Sequence, residues 1–197
     1  DILRTRSDTL LIPVFDNTRF SFVPNWAGST LRDISDIDCH FFDSIESTSS
    51  YLTKVPYSKR TQLCITREQT MGKGQHGRGW ASQKDGSILF SLRKCFNIDT
   101  NLNGLSLVIG MAIIKSIEEE CQLEGLKIKW PNDLMINNKK IAGVLIQNIE
   151  SNFKSIIGVG ININQKEFKN FSPQATSFSN ELNKDFNRNT LILELMN

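Results

Sequence analysis

Thr70 to Trp80 reads TMGKGQHGRGW. Four glycines, Lys73, Gln75, His76 and Arg78 share eleven residues, and an indole closes the run. Backbone N–H groups freed by glycine, next to Lys and Arg side chains, can wrap a phosphate. The indole of Trp80 can pack on a flat ring. A loop of this kind can also order over its ligand and exclude water from a reactive intermediate. Two common phosphate loops do not fit. A Walker A loop needs G-x-x-x-x-G-K-[ST], whereas Lys73 lies between glycines with no Ser or Thr behind it. Gly72–Gly77 matches G-x-G-x-x-G on paper, but the following RGWASQKDG has no helical pattern, so a pyrophosphate would find no helix N-terminus there. A flexible charged surface loop is the alternative on this stretch alone. Against it stands Trp80, a large apolar ring that is costly to expose.

Lys129 to Gln147, KWPNDLMINNKKIAGVLIQ, is the second dense patch. Pro131 stops a strand, and Asn132 and Asp133 follow at its end. Asp133 could hold Mg²⁺ or a hydroxyl. Lys140 opens the next strand across a hairpin from Asp133 and could reach the same ligand. Gly143 removes a side chain where a ligand or backbone comes close. Lys139 is read as solvated. Lys129 is read as facing inward, because it alternates with inward candidates and precedes Trp130.

The elements that position these patches are legible from periodicity. SIESTSSYL (44–52) has Ser and Thr at cap positions before a short helix, a sufficient account of it on composition alone. Residues 61–69 predict a strand leading into the glycine loop, and 85–96 a second strand. Leu105 to Cys121 predicts a helix whose buried stripe runs through Ile109, Ile113 and Ile117, flanked by Val108 and Ala112. LKIKW predicts a strand, and LMI-NNKK-IAGVLIQ a hairpin turning on Asn137 and Asn138. Residues 154–164 form another strand, with Gly158 and Gly160 where a neighbouring group approaches. A helix begins at RNTLILELMN. Short turns between strands, without strict β-α-β alternation, predict an α+β domain with a mixed, mainly antiparallel sheet flanked by helices. Residues 1–41 read as an irregular lead-in, with no three-helix pattern of a DNA-binding module.

Composition narrows the function classes. A net charge of +2 is too small to argue for a nucleic-acid surface. No apolar run approaches the roughly 20 residues of a membrane span, and DILRTRSDTL lacks the apolar core of a signal peptide. Cys39, Cys64, Cys95 and Cys121 lie 25 or more residues apart, which argues against a zinc site. Cys64 and Cys95 read as small core residues, and a reducing, cytoplasmic setting fits best.

Taken together, KGQHGRGW after REQT, KWPNDLMINNKKIAGVLIQ and IIGVGININ, in this order and spacing, resemble biotin–protein ligase. The resemblance runs from Phe42 to the C-terminus and includes ESTSSYL, LSLVIGMAI and QATSF. It implies a fold similar to the catalytic core of class II aminoacyl-tRNA synthetases. It also implies a two-step reaction, in which biotin and ATP give biotinyl-5′-AMP and a carrier lysine then takes the biotinyl group. ATP and Mg²⁺ are implied, with biotin as substrate and a biotin carboxyl carrier domain of a biotin-dependent carboxylase as partner.

By motif position, Ser47, Thr48 and Ser49 resemble the contacts to the biotin head, Gln69 the glutamine on its ureido group, and Gly72 and Gly143 glycines of the biotin pocket, with walls from Leu145 and Ile146. Lys140 resembles the lysine on the carboxylate and acyl phosphate. Lys73, Gly74, Gln75, His76, Gly77, Arg78, Trp80 and Asn132 resemble the nucleotide side, and Asp133 its metal side. Arg78, Lys129 and Lys140 would offset the charge of two anions that must meet, with Asp133 as base or orienting group. Three positions depart from the common pattern: Lys73 and Gln75 stand where arginines are common, and Ser49 where an asparagine is. The family usually continues into a small SH3-like domain, so residues 42–197 are expected to be a catalytic domain without it. A homodimer is left open. A lipoate or octanoate ligase of the same fold and a biotin-sensing regulator are the competing readings.

Overall fold

Period-two alternation in the apolar strands divides the molecule into two faces of one sheet. The computed structural model describes residues 13–16, 19–22, 37–97, 99–100, 102–121, 123–149, 154–168 and 174–196. Most of the expected lead-in, 1–41, lies outside these. Within it, β1 (Pro13–Asp16) and β2 (Arg19–Phe22) pair as an antiparallel ribbon.

The main sheet holds β3 (Ile37–Phe42), β4 (Thr61–Thr66), β7 (Ser87–Cys95), β8 (Lys127–Lys129), β9 (Asp133–Ile136), β10 (Lys139–Ile149) and β11 (Lys154–Asn162). Their order is β3-β4-β7-β11-β10-β9-β8. Only β3–β4 is parallel, and every other neighbouring pair is antiparallel. The fold is therefore α+β with a mainly antiparallel sheet. The parallel pair is joined through α1 (Thr48–Lys54), as parallel strands need a crossover. The sheet starts at Ile37, not at the Phe42 boundary read from the sequence. IDCHFF carries a mixed polar and apolar pattern, and only pairing with a strand 24 residues later makes it part of the sheet.

One face presents Leu63, Ile65, Phe90, Ile157, Val159 and Val144 to α2 (Leu105–Cys121) and α4 (Arg188–Met196), forming the main core. The other face carries Cys64 and Ile156 under Leu52 of α1, then Ser91, Gly158, Gly160 and Gly143. Side chains fill the first face. Glycines leave the second one hollow.

In α2 the buried positions are Gly110, Ile113, Ile117 and Cys121. Gly110 lets the helix approach Ile128 and Leu134, whose methyls lie 3.4 Å from where a Cβ would stand. Val108 and Ala112, expected beside the stripe, are exposed: the helical period takes the buried face through 110, 113, 114 and 117. Cys95 also departs from its reading. It ends β7 at the rim and is exposed, with the Tyr57 hydroxyl 3.0 Å from its Sγ. Cys64 is buried as expected, and burial pushes its thiol up to about 12.

An ion-pair cluster fastens the glycine segment to this scaffold. Arg67 donates twice to Asp85, Nε to Oδ1 at 2.7 Å and Nη2 to Oδ2 at 2.5 Å, and Arg188 Nη1 donates to Asp85 Oδ1 at 2.6 Å. Arg67 lies two residues before Gln69 and Asp85 five after Trp80, so the cluster holds both roots of the loop and ties them to α4. Arg67, and then the charge of Arg188, outweigh burial and hold the Asp85 carboxyl below its usual range. Asp85→Asn leaves a 93%-buried Arg188 without its counter-ion. Breaking a fully buried pair costs about 3–5 kcal/mol. Asp85 is 41% exposed, which brings the expected loss at pH 7 to about 2 kcal/mol. A depressed folded pKa stabilises above the unfolded value, about 3.9, and that contribution disappears as pH falls through the folded value. The gap between wild type and Asp85→Asn should therefore narrow below about pH 4. Urea midpoints at pH 7 and pH 3 check this, and an equal gap at both would show that the charge of Asp85 is not the cause.

Candidate active site

The hollow face carries a cavity of about 340 Å³ whose lining is drawn from segments spread between Ser47 and Ala175. Its polar end is built by the entry to α1 and the root of the glycine segment. Ile45 and Gln69 form a parallel bridge, and Thr70 and Met71 donate to the carbonyls of Ile45 and Glu46 at 2.9 and 2.8 Å. That pairing brings Ser47, Thr48 and Ser49, all buried, beside Gln69. Ser47 is also the N-cap of α1, accepting from the Ser50 N–H at 3.4 Å, with its hydroxyl 3.1 Å from that of Ser49.

Gln69 Oε1 accepts from the Thr48 N–H at 2.8 Å and the Thr48 hydroxyl at 3.0 Å. This fixes the amide orientation: both Nε2 hydrogens face the other way. The Thr48 hydroxyl has a single proton, already given to Gln69, so its 2.8 Å contact with Ser91 Oγ is a donation by Ser91. Ser91 is fully buried and was not singled out from the sequence. It is one small polar residue inside an apolar strand, and that break in SILFSLRKC is the signal that could have found it.

The floor is glycine. Gly143 and Gly160 are cross-strand partners, and Trp80 lies across both. A Cβ on Gly160 would stand 2.5 Å from Trp80 Cε2, and one on Gly143 3.2 Å from Cζ3. The Trp80 Nε1–H is buried and has no partner among the described residues. Gly158, by contrast, has only ordinary contacts around its Cβ position, so the floor is open there.

At the far end Lys140 Nζ lies 2.6 Å from Asp133 Oδ1 and 5.4 Å from the centre of the Trp80 ring. Side-chain exposures of 23% and 15% make this a half-buried pair opening on the cavity. Asn132 lines the cavity too, while its Nδ2 donates to the Val144 carbonyl at 2.8 Å and the Val144 N–H returns to its carbonyl at 2.9 Å. It therefore also fastens the β8–β9 turn to β10. The β9–β10 turn falls on Asn137 and Asn138, both with positive φ, as the turn chemistry predicts.

The glycine segment roofs the cavity as a small hairpin. β5 (Gly72–Lys73) pairs with β6 (Gly79–Trp80) around a 3-10 turn at Gln75–Gly77, where His76 has φ 55° and Gly77 φ 73°. Gly72 is buried against Trp80, whose carbonyl would lie 2.4 Å from any Cβ there. Lys73, Gly74, Gln75 and Arg78 line the cavity, and the exposed Arg78 also donates Nε to the Gln75 carbonyl at 3.3 Å. Gly72, His76 and Gly77 line the adjoining groove. Of the apolar walls, Leu145 faces both spaces and Ile146 the groove alone.

Lys129 departs from its inward reading. It stands opposite Asp133 on the β8–β9 ladder but is exposed and absent from the described lining, and Ile128 is the residue that turns inward against Gly110. The strand is three residues long at the sheet edge, so alternation there leaves its lysines in solvent. Among the described lining residues Asp133 brings the one carboxylate. A single carboxylate fits Mg²⁺ that arrives with substrate phosphates, since such ions keep few protein ligands.

The sequence matches the Biotin/lipoate A/B protein ligase family over residues 41–164, well over half of the chain. The chain belongs to this family. It is 38% identical over 108 residues to the Bifunctional ligase/repressor BirA of Bacillus subtilis, covering 53% of this chain and 33% of that protein. It is 33% identical over 119 residues to the Biotin--[acetyl-CoA-carboxylase] ligase of Mycobacterium tuberculosis, covering 58% and 44%. The chain thus spans less than half the length of these curated relatives. Among solved structures, the biotin protein ligase from Aquifex aeolicus in complex with biotin and ATP superposes with a TM-score of 0.72 at 31% identity, covering 81% of this chain and 67% of that one. The matched residues 41–164 take in α1, α2, the glycine hairpin and strands β4 to β11.

Proposed function

We propose that this chain is the catalytic domain of a biotin–protein ligase. The observation that carries the reading is the cavity itself. A pre-oriented polar end (Thr48, Gln69, Ser91) is joined by a glycine floor to a half-buried lysine under a cationic glycine hairpin. The relatives named above support it. Such a shape suits a ligand with a hydrogen-bonding head, an apolar body and an anionic tail, which describes biotin. The ureido group would accept from the free Gln69 amide N–H, the ring system would lie on the floor, and the carboxylate would reach Lys140.

The carboxylate oxygen then attacks the α-phosphorus of ATP, the α–β bridge P–O bond breaks, and pyrophosphate leaves with its electron pair. Lys140, Arg78 and Lys73 offset the charge of the two anions. Mg²⁺, held on Asp133 and the phosphates, would add Lewis-acid stabilisation. Lys140 Nζ occupies Asp133 at 2.6 Å, so nucleotide and metal compete with an existing ion pair for both groups. In the second step the ε-amine of a carrier lysine attacks the acyl carbon of biotinyl-5′-AMP, AMP leaves, and the amine loses a proton. Asp133 is the candidate to orient or accept it.

The test mixes the protein with biotin, Mg·ATP and a biotin carboxyl carrier domain and reads the carrier's intact mass alongside pyrophosphate release. An ATP-dependent gain of one biotinyl group is expected. Pyrophosphate release without a mass gain would confine these residues to the first step. Neither signal, with no biotin binding, would overturn the reading.

A further inference from the structure

The backbone of Lys140 is gripped by a segment that a carboxylate outside the cavity ties to the β9–β10 turn. Lys140 sits at an irregularity: β10 pairs Lys140 with Met135 and Ala142 with Leu134, so Ile141 is skipped. A bulge of this kind re-aims the side chain next to it. The Lys140 backbone is instead bracketed by residues 174–176. Its N–H donates to the Gln174 carbonyl at 2.7 Å, and its carbonyl accepts from the Thr176 N–H at 2.9 Å.

Glu181, in the short helix α3 (Phe178–Leu182), ties the two sides of that bracket together. Its Oε1 accepts from Thr176 Oγ1 at 2.6 Å and Lys139 Nζ at 3.2 Å, and its Oε2 from Asn137 Nδ2 at 2.7 Å. One carboxylate, 9% exposed, thereby joins the turn before Lys140, the residue next to it and the segment that grips its backbone. Burial pushes the Glu181 carboxyl up, but the three donors outweigh it and leave it below its usual range, so it serves as an acceptor at both oxygens.

We infer that Glu181 is a positioning residue for Lys140. By locking the β9–β10 turn to residues 174–176 it sets the direction in which the bulge throws the Lys140 side chain, and so the reach of Nζ to Asp133 and over Trp80. Glu181 is not among the described residues that line the cavity. The inference rests on the proposed role of Lys140, but the geometry it explains does not.

Glu181→Gln is the decisive variant. An amide accepts at one end only, so an N–H would face either Asn137 or the Thr176–Lys139 side. Two readouts are taken together. The first is the rate at which an amine-selective acylating reagent labels Lys140, followed by peptide mass spectrometry. Nζ released from its ion pair should label at least about threefold faster than in wild type, which needs no enzymatic turnover. The second is biotin-dependent pyrophosphate release, where kcat should fall about tenfold with the KM for biotin within about twofold, because the polar end belongs to other elements. Thr176→Val, which removes one donor without touching charge, should move both readouts the same way and carries the test if Glu181→Gln does not fold. Unchanged Lys140 labelling in a folded variant overturns the inference. Wild type that labels normally but releases no pyrophosphate overturns the proposed activity instead, and the labelling arm still decides the role of Glu181.

Discussion

Lys140→Ala is expected to lower biotin-dependent pyrophosphate release by about 100- to 1,000-fold, the range seen when a preorganised charge at a developing anionic centre is removed. In the proposed reaction two anions must meet within bonding distance, and in the cavity the cation held in place by geometry is Lys140, 2.6 Å from Asp133 and partly shielded from water. Lys73 and Arg78 are on the exposed hairpin, where solvent screens them. Removing Lys140 also leaves Asp133 as an uncompensated negative charge, which would repel both substrates. Biotin affinity should fall far less, by about tenfold, because the Thr48–Gln69–Ser91 end is untouched. Lys140→Arg should not rescue, since Nζ packs close over Gly143, 3.2 Å from where a Cβ would stand there, and a larger planar guanidinium cannot place its charge in that space. Single-turnover pyrophosphate release at saturating biotin separates the two effects. A rate within about threefold of wild type would remove Lys140 from the first step.

Much of this site was legible because its parts are local in sequence. The glycine loop, the Asn137-Asn138 turn and the strand glycines Gly158 and Gly160 each announce themselves through backbone chemistry within a few residues, though the pairing of β5 with β6 inside that loop does not. Ser47–Ser49 and Gln69 came from motif position, and the bridge between Ile45 and Gln69 explains why two segments 21 residues apart act as one end of the cavity. What sequence reading passed over is long-range or ambiguous by period. β3 is a strand because of a parallel partner beyond a helix. Ser91 matters because register sets it against Thr48, 43 residues away. Asp85 reads as the start of a strand until Arg188, 103 residues on, is seen to close on it. Lys129 shows the opposite failure: alternation names a face but not whether anything covers it, and at a three-residue edge strand nothing among the described residues does.

Gly160→Ala should be the most damaging conservative change in the floor. A methyl there would stand 2.5 and 2.7 Å from Cε2 and Cζ2 of Trp80, distances real Cβ atoms do not reach. The sheet cannot yield, because Gly160 is paired on both sides, with Gly143 and Leu89, in the middle of the sheet. The indole must lift instead. Trp80 is the last residue of β6, paired to Gly72, so lifting it pulls on the whole hairpin and moves Lys73 and Arg78 with it. It also takes away the aromatic face beneath Lys140. Loss of biotin affinity by about 100-fold or more is the expected result, roughly 2.7 kcal/mol. Gly158→Ala is the internal comparison. Its methyl would meet only Ser91 Oγ at 3.5 Å and Leu145 at 3.7 Å, so Trp80 stays in place and the change merely fills part of the cavity. Titration calorimetry on both variants, with urea midpoints to confirm folding, distinguishes a displaced wall from a filled space. Equal biotin affinity in Gly160→Ala and wild type would mean that Trp80 does not shape the biotin pocket. A larger loss in Gly158→Ala than in Gly160→Ala would mean that the ligand lies over Gly158 and owes little to the indole.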